Sequence, residues 1–201
     1  MYTFIALKPD AALHALIQGY KDRACRRVGD QLYLSDPPHL TVYLAAFPPE
    51  FRPLAALRLP PAPRVRLAGW HAFEADALTG KNTLVAQIHA DDKAALRTFQ
   101  RELVAALAPH RDAAKTEARF AGRLHALTPE QRTNVRDFGF PFLFDGWQPH
   151  FTIASFDPAA WASVLAEFAA DTPEGTYLCS ALAEYQLDGN RPIFRSEMKM
   201  N

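Results

Sequence analysis

The chain has 201 residues, 49% apolar and 22% charged, and its 22 basic residues balance its 22 acidic ones. That length supports a sizeable core, and zero net charge excludes a global field that would gather nucleic acid or membrane; a polyanionic partner must be held by a local patch. The start, Met1 to Lys8, lacks the basic and long apolar regions of a signal peptide, and no run is long enough to span a membrane. Two cysteines, Cys25 and Cys179, are far apart and stand in no metal or redox spacing, so two reduced, half-buried thiols in a cytoplasmic protein are expected, with a disulfide the alternative. The protein is expected to act as a monomer.

Thr3 to Leu7 reads as a short buried strand stopping at Pro9-Asp10, where Asp10 can cap a helix through about Arg27. Residues 37–63 hold eight of the 16 prolines, which predicts rigid loops around a strand at Leu40 to Val42 and a short helix from about Pro49 to Leu57. Val65 to Phe73 reads as a strand. Thr83 to Ile88 repeats the opening strand, and Asp91 or Asp92 is expected to cap a helix with an apolar stripe of Leu96, Phe99, Leu103 and Leu107. Residues 109–147 offer only a helical turn at Thr128-Pro129-Glu130, and insertions of this kind commonly cover a site. Within them Phe138, Phe140, Phe142 and Phe144 alternate, either as an anchor on the core or as an aromatic wall for bases. A strand from His150 to Ile153 follows, then a helix from Pro158 to about Ala169, entered through Asp157-Pro158. Strands Tyr177 to Leu187 and Ile193 to Met198, joined at Asp188-Gly189-Asn190, complete the chain.

The order strand, helix, strand, short helix, strand therefore occurs twice. It predicts an α+β fold of two pseudo-twofold-related lobes, each a small, mainly antiparallel sheet with helices outside, enclosing a central groove. The expected organisation is one domain over residues 1–201, made of two tandem repeats at about 1–80 and 81–201, with the insertion at 109–147.

The most informative feature is a tetrapeptide written twice: His39-Leu40-Thr41-Val42 and His150-Phe151-Thr152-Ile153, each directly after a proline, Pro38 and Pro149. In a strand, alternate side chains share a face, so each copy presents one imidazole and one hydroxyl together while its apolar residues point into a core. Two imidazoles and two hydroxyls supply a base, an acid and two neutral donors, the set that metal-free chemistry on a phosphodiester needs. Zinc usually needs three or four ligands, and neither strand offers a carboxylate or thiol beside its His and Thr, so no metal is expected. No Gly-rich phosphate loop, Gly-x-Ser-x-Gly or His-Glu-x-x-His occurs, and no cofactor is expected.

On these two motifs, the opening strand Phe4 to Leu7 and the strand and helix from Leu84 to Leu107, the chain resembles the 2H phosphoesterases. That superfamily includes the bacterial 2′-5′ RNA ligase-like (LigT-like) proteins and cyclic nucleotide phosphodiesterases. The resemblance implies catalytic histidines at His39 and His150 and phosphate-binding hydroxyls at Thr41 and Thr152. It implies as substrate a nucleotide or RNA with a 2′,3′-cyclic phosphate or a 2′-5′ linkage. Hydrolysis, RNA ligation by the same histidines run in reverse, and a nucleotide- or RNA-binding module without turnover are the three readings it admits. Several members carry Arg or Tyr five residues past the second histidine; Ser155 stands there and points to a different phosphate clamp. Strict alternation puts Tyr43 on the groove face, either stacking a base or bonding phosphate, or simply walling the groove. Phe4 is either a base-stacking residue, as the resemblance implies, or part of the core.

Overall fold

The computed structural model describes residues 2–58, 60–76, 78–189 and 191–201. Asn190, in the expected hairpin turn, lies outside them. Among these described residues seven strands and five α-helices follow in the order β1 (Tyr2–Pro9), α1 (Ala11–Val28), β2 (Leu40–Ala46), β3 (Arg64–Phe73), β4 (Asn82–Ile88), α2 (Ala90–Leu107), α3 (Ala113–Phe120), α4 (Pro129–Phe138), β5 (His150–Phe156), α5 (Pro158–Phe168), β6 (Glu174–Asp188) and β7 (Arg191–Lys199). Among the described residues no helix is long and apolar enough to cross a membrane.

Local chemistry explains most boundaries. Asp10 caps α1 by accepting from the Leu13 N–H at 2.8 Å, and Gly29 ends it at φ 75°, a conformation that suits a residue without Cβ. At α4, Thr128 and Gln131 form a reciprocal capping box around Pro129, and Gly139 closes the helix in the left-handed region. The expected caps of α2 are replaced: His89 is the N-cap, while Asp92 accepts from Arg66 at 2.8 Å and ties α2 to β3. The short helix expected near Pro49 to Leu57 is a single 3₁₀ turn, Pro53–Ala56.

All strands are antiparallel, in the order β2-β1-β6-β3-β4-β5, with β7 beside β6. The 15-residue β6 is the seam. Its first residues pair with β3 and the rest pair with β1 and β7. One lobe is therefore β2-β1-β6-β7 and the other β6-β3-β4-β5. Each sequence half lends its third strand to the other: β3 pairs with β4, and β6 pairs with β1. The outermost strands, β2 and β5, come together at the middle of the molecule.

One face of the strands, with Ile5, Leu7, Leu40, Val42, Leu84, Ala86, Phe151 and Ile153, joins the helices in a continuous core. The α1 stripe there is Leu13, Ile17, Tyr20 and Ala24; that of α2 is Leu96, Phe99, Leu103 and Leu107. The insertion is largely helical and docks on β2 from this side. Tyr43 Oη donates to the Phe138 carbonyl at 2.5 Å, Thr116 Oγ1 accepts from the Ala46 N–H at 3.0 Å, and Phe140 is buried in the core with Phe138, Phe142 and Phe144 against it. Cys25 is exposed, Cys179 is buried, and both are free thiols.

Candidate active site

His39 directly precedes β2 and His150 opens β5. Each ring is fixed the same way: His39 Nδ1 lies 2.7 Å from the Pro37 carbonyl, and His150 Nδ1 lies 2.6 Å from that of Gln148. A carbonyl only accepts, so both Nδ1 atoms carry hydrogen, and in the neutral ring the lone pair is on Nε2. A groove-face phenylalanine backs each ring, Phe4 behind His39 at 5.0 Å and Phe73 behind His150 at 5.2 Å between centroids.

Both His-Thr strands carry a β-bulge at the residue after the threonine. Pairing to β1 runs Thr41–Ala6 and then Tyr43–Ile5, skipping Val42; pairing to β4 runs Thr152–Val85 and then Ala154–Leu84, skipping Ile153. The extra residue reverses the alternation beyond it. This corrects the reading of Tyr43. Its ring is fully buried on the core face, bonded to Phe138, and Leu44 takes the groove side. Thr41 and Thr152 precede the bulge and remain half-buried beside their histidines.

Ser155 is also corrected as a substrate contact. It is fully buried and its Oγ lies 2.5 Å from Thr83 Oγ1, which in turn lies 3.1 Å from Asp76 Oδ2. A carboxylate only accepts, so Thr83 donates to Asp76 and Ser155 donates to Thr83, its single hydrogen used. Phe4 is on the groove face but only 5% exposed, stacked on Tyr185 at 4.9 Å and 12°. It supports the His39 ring.

Three residues without a sequence signal complete the surroundings. His71 pairs with Val85, which pairs with Thr152, so the three side chains share the groove face; Phe73 lies one row on, beside Thr83. Asp76, from the β3–β4 loop, acts on His150 through its charge. Their common origin is β3 and the loop that leaves it, and no local pattern announces the placement of β3 in the other lobe.

The two imidazoles are not electrostatically equivalent. Burial pushes His39 down to about 4, with the ammonium of Lys21 and the facing His150 adding to the effect, against the bond to Pro37. Burial also lowers His150, but there the Gln148 carbonyl and Asp76 oppose it, while His71 and Lys93 add to it. Among the described residues no three His, Cys, Asp or Glu side chains converge as a metal site would require.

Residues 9–191 match the model of the 2′-5′ RNA ligase superfamily. The chain belongs to that superfamily. As a member of the 2′-5′ RNA ligase superfamily it shares its fold with solved proteins of low identity. TT0787 of Thermus thermophilus is 16% identical, with a TM-score of 0.57 over 100% of this chain and 98% of that one. E. coli LigT, solved in complex with NADP+, is 12% identical, with a TM-score of 0.50 over 98% of this chain and 96% of its own. No curated protein matches the sequence.

Proposed function

We propose that this superfamily member is a metal-independent phosphodiesterase that hydrolyses 2′,3′-cyclic phosphate or 2′-5′ phosphodiester bonds in RNA or small nucleotides. The observation that carries the reading is the duplicated His-Thr pair with both Nδ1 atoms tied to backbone carbonyls, which leaves two Nε2 atoms for proton transfer. The superfamily match supports the substrate class.

In-line attack of water on phosphorus needs a base on one side and an acid on the other. His39, whose surroundings disfavour its cation, takes the water proton at Nε2. His150, lowered by burial but opposed there by the Asp76 charge, gives its Nε2 proton to the departing ribose oxygen once the bound phosphate has raised it. Thr41 and Thr152 donate to the non-bridging oxygens, where charge is held in the transition state. A bound phosphate anion raises both imidazoles from their ligand-free positions, favouring the protonated acid. Incubation with RNA bearing 2′,3′-cyclic and 5′-hydroxyl ends tests the direction of reaction. Cyclic ends opened to a monoester support hydrolysis, and joined strands contradict it.

A further inference from the structure

Two buried polar residues outside the groove repeat each other across the pseudo-twofold. Lys21 follows the first residue of α1 by ten positions, and Gln100 follows the first residue of α2 by ten. Each interrupts an apolar stripe four residues after a core side chain, Ile17 or Leu96, and neither is more than 2% exposed. A buried ammonium is costly unless its hydrogens are accepted, so its place in the stripe calls for partners.

Those partners are also equivalent. Lys21 Nζ donates to the Ile153 carbonyl at 3.1 Å, the bulge residue of β5, and to the Tyr33 carbonyl at 2.5 Å. Gln100 Nε2 donates to the Val42 carbonyl at 2.8 Å, the bulge residue of β2, and its Oε1 accepts from the Phe144 N–H at 2.7 Å. Tyr33 and Phe144 each stand six residues before a histidine, and both hold left-handed φ angles, 73° and 57°. A side chain with Cβ rarely adopts that conformation unless its surroundings enforce it. Each helix residue thus ties the turn before its own histidine to the bulge beside the other histidine's threonine. A β-bulge leaves its extra residue out of the ladder, so these carbonyls need a partner from elsewhere.

We propose that Lys21 and Gln100 are a matched pair of positioning residues that fix the spacing of His39 and Thr41 against His150 and Thr152. Neither touches the groove, and each acts through the backbone of both His-Thr units. The pair is symmetric in connection and asymmetric in charge, since Lys21 alone places a cation near His39. The inference rests on the hydrolytic reading above.

The test uses Lys21→Met and Gln100→Leu in the full chain, with Leu13→Ala and Leu96→Ala as controls that weaken the same two helices without touching a bulge. Misplacing a reacting group by about 1 Å costs on the order of 10²-fold, so each positioning variant loses about that much kcat with little change in KM. The controls lower Tm as much and keep kcat. Followed by NMR, the His39 imidazole titrates at higher pH in Lys21→Met and stays put in the controls; the other groups acting on it, His150 and the Pro37 carbonyl, are unchanged. If Lys21→Met does not fold, Lys21→Gln, which removes the charge and keeps a donor as Gln100 does, keeps most of kcat while the His39 titration still moves to higher pH. A kcat loss of the full ~10²-fold there, or an unmoved titration, overturns the proposal. Loss of kcat that merely follows Tm across all the variants, or a His39 titration that Lys21 substitution leaves unmoved, overturns the proposal. If the wild type hydrolyses no substrate, the functional reading fails on that result alone, and the positioning role is decided by whether the His39 and His150 imidazole resonances shift in both Lys21→Met and Gln100→Leu while staying put in the two controls.

Discussion

His39 and His150 give their Nδ1 hydrogens to carbonyls two residues earlier in the chain, at 2.7 and 2.6 Å, so both imidazoles meet the groove with the same nitrogen. Equal geometry with unequal surroundings is what an acid and a base in one site require. Replacing either histidine by alanine should cost at least about 10²-fold in kcat, with circular dichroism and Tm reporting an intact fold. A variant that keeps near-wild-type turnover removes its histidine from proton transfer.

The low titration of His39 also predicts how stability responds to acid. The unfolded imidazole takes up a proton near its ordinary value of about 6.5, whereas the folded one resists until about 4. Protons therefore bind the unfolded state first, and this contribution to stability is lost as pH falls from about 6.5 toward 4. Asp36, which burial raises to about 6, contributes with the opposite sign over part of that range. Comparison with His39→Phe isolates the histidine: the variant's urea midpoint should fall less than the wild type's over that interval. Parallel pH curves would contradict the assignment.

Asp76 should matter to the protonated form of His150. In Asp76→Asn the charge that favours the imidazolium is gone, so the alkaline limb of the rate profile moves to lower pH. An alkaline limb that stays fixed in Asp76→Asn would show that His150 is not tuned by this carboxylate.

Tyr43→Phe distinguishes a core residue from a substrate contact. Loss of the bond to the Phe138 carbonyl should cost roughly 1 to 3 kcal/mol in stability and leave KM for a nucleotide substrate unchanged. A raised KM at full stability would return Tyr43 to the groove.

Much of this architecture is legible in the chain. Asp10 before α1, Thr128-Pro129 before α4 and the spacing of Leu96, Phe99, Leu103 and Leu107 carry local rules that the fold obeys. The duplicated His-Thr motif also gives the right face up to Thr41 and Thr152. Beyond those threonines the facing is not legible, because a bulge is a property of a pair of strands and nothing in Val42-Tyr43 or Ile153-Ala154 marks one. The exchange of β3 and β6 between lobes hid His71, Phe73 and Asp76 for the same reason. Lys21 and Gln100 did leave a trace, each four residues after a stripe residue where the period calls for an apolar side chain. Read singly, a polar residue in a stripe means little; its recurrence ten residues into both α1 and α2 is the signal.

The most direct test of the central claim is hydrolysis of the four nucleoside 2′,3′-cyclic phosphates in excess EDTA, with 2′- and 3′-monophosphates separated by chromatography and His39→Ala and His150→Ala run alongside. The account predicts a single monophosphate isomer from the wild type and neither isomer from the two variants. Turnover that disappears in EDTA, or that survives loss of either histidine, would contradict it.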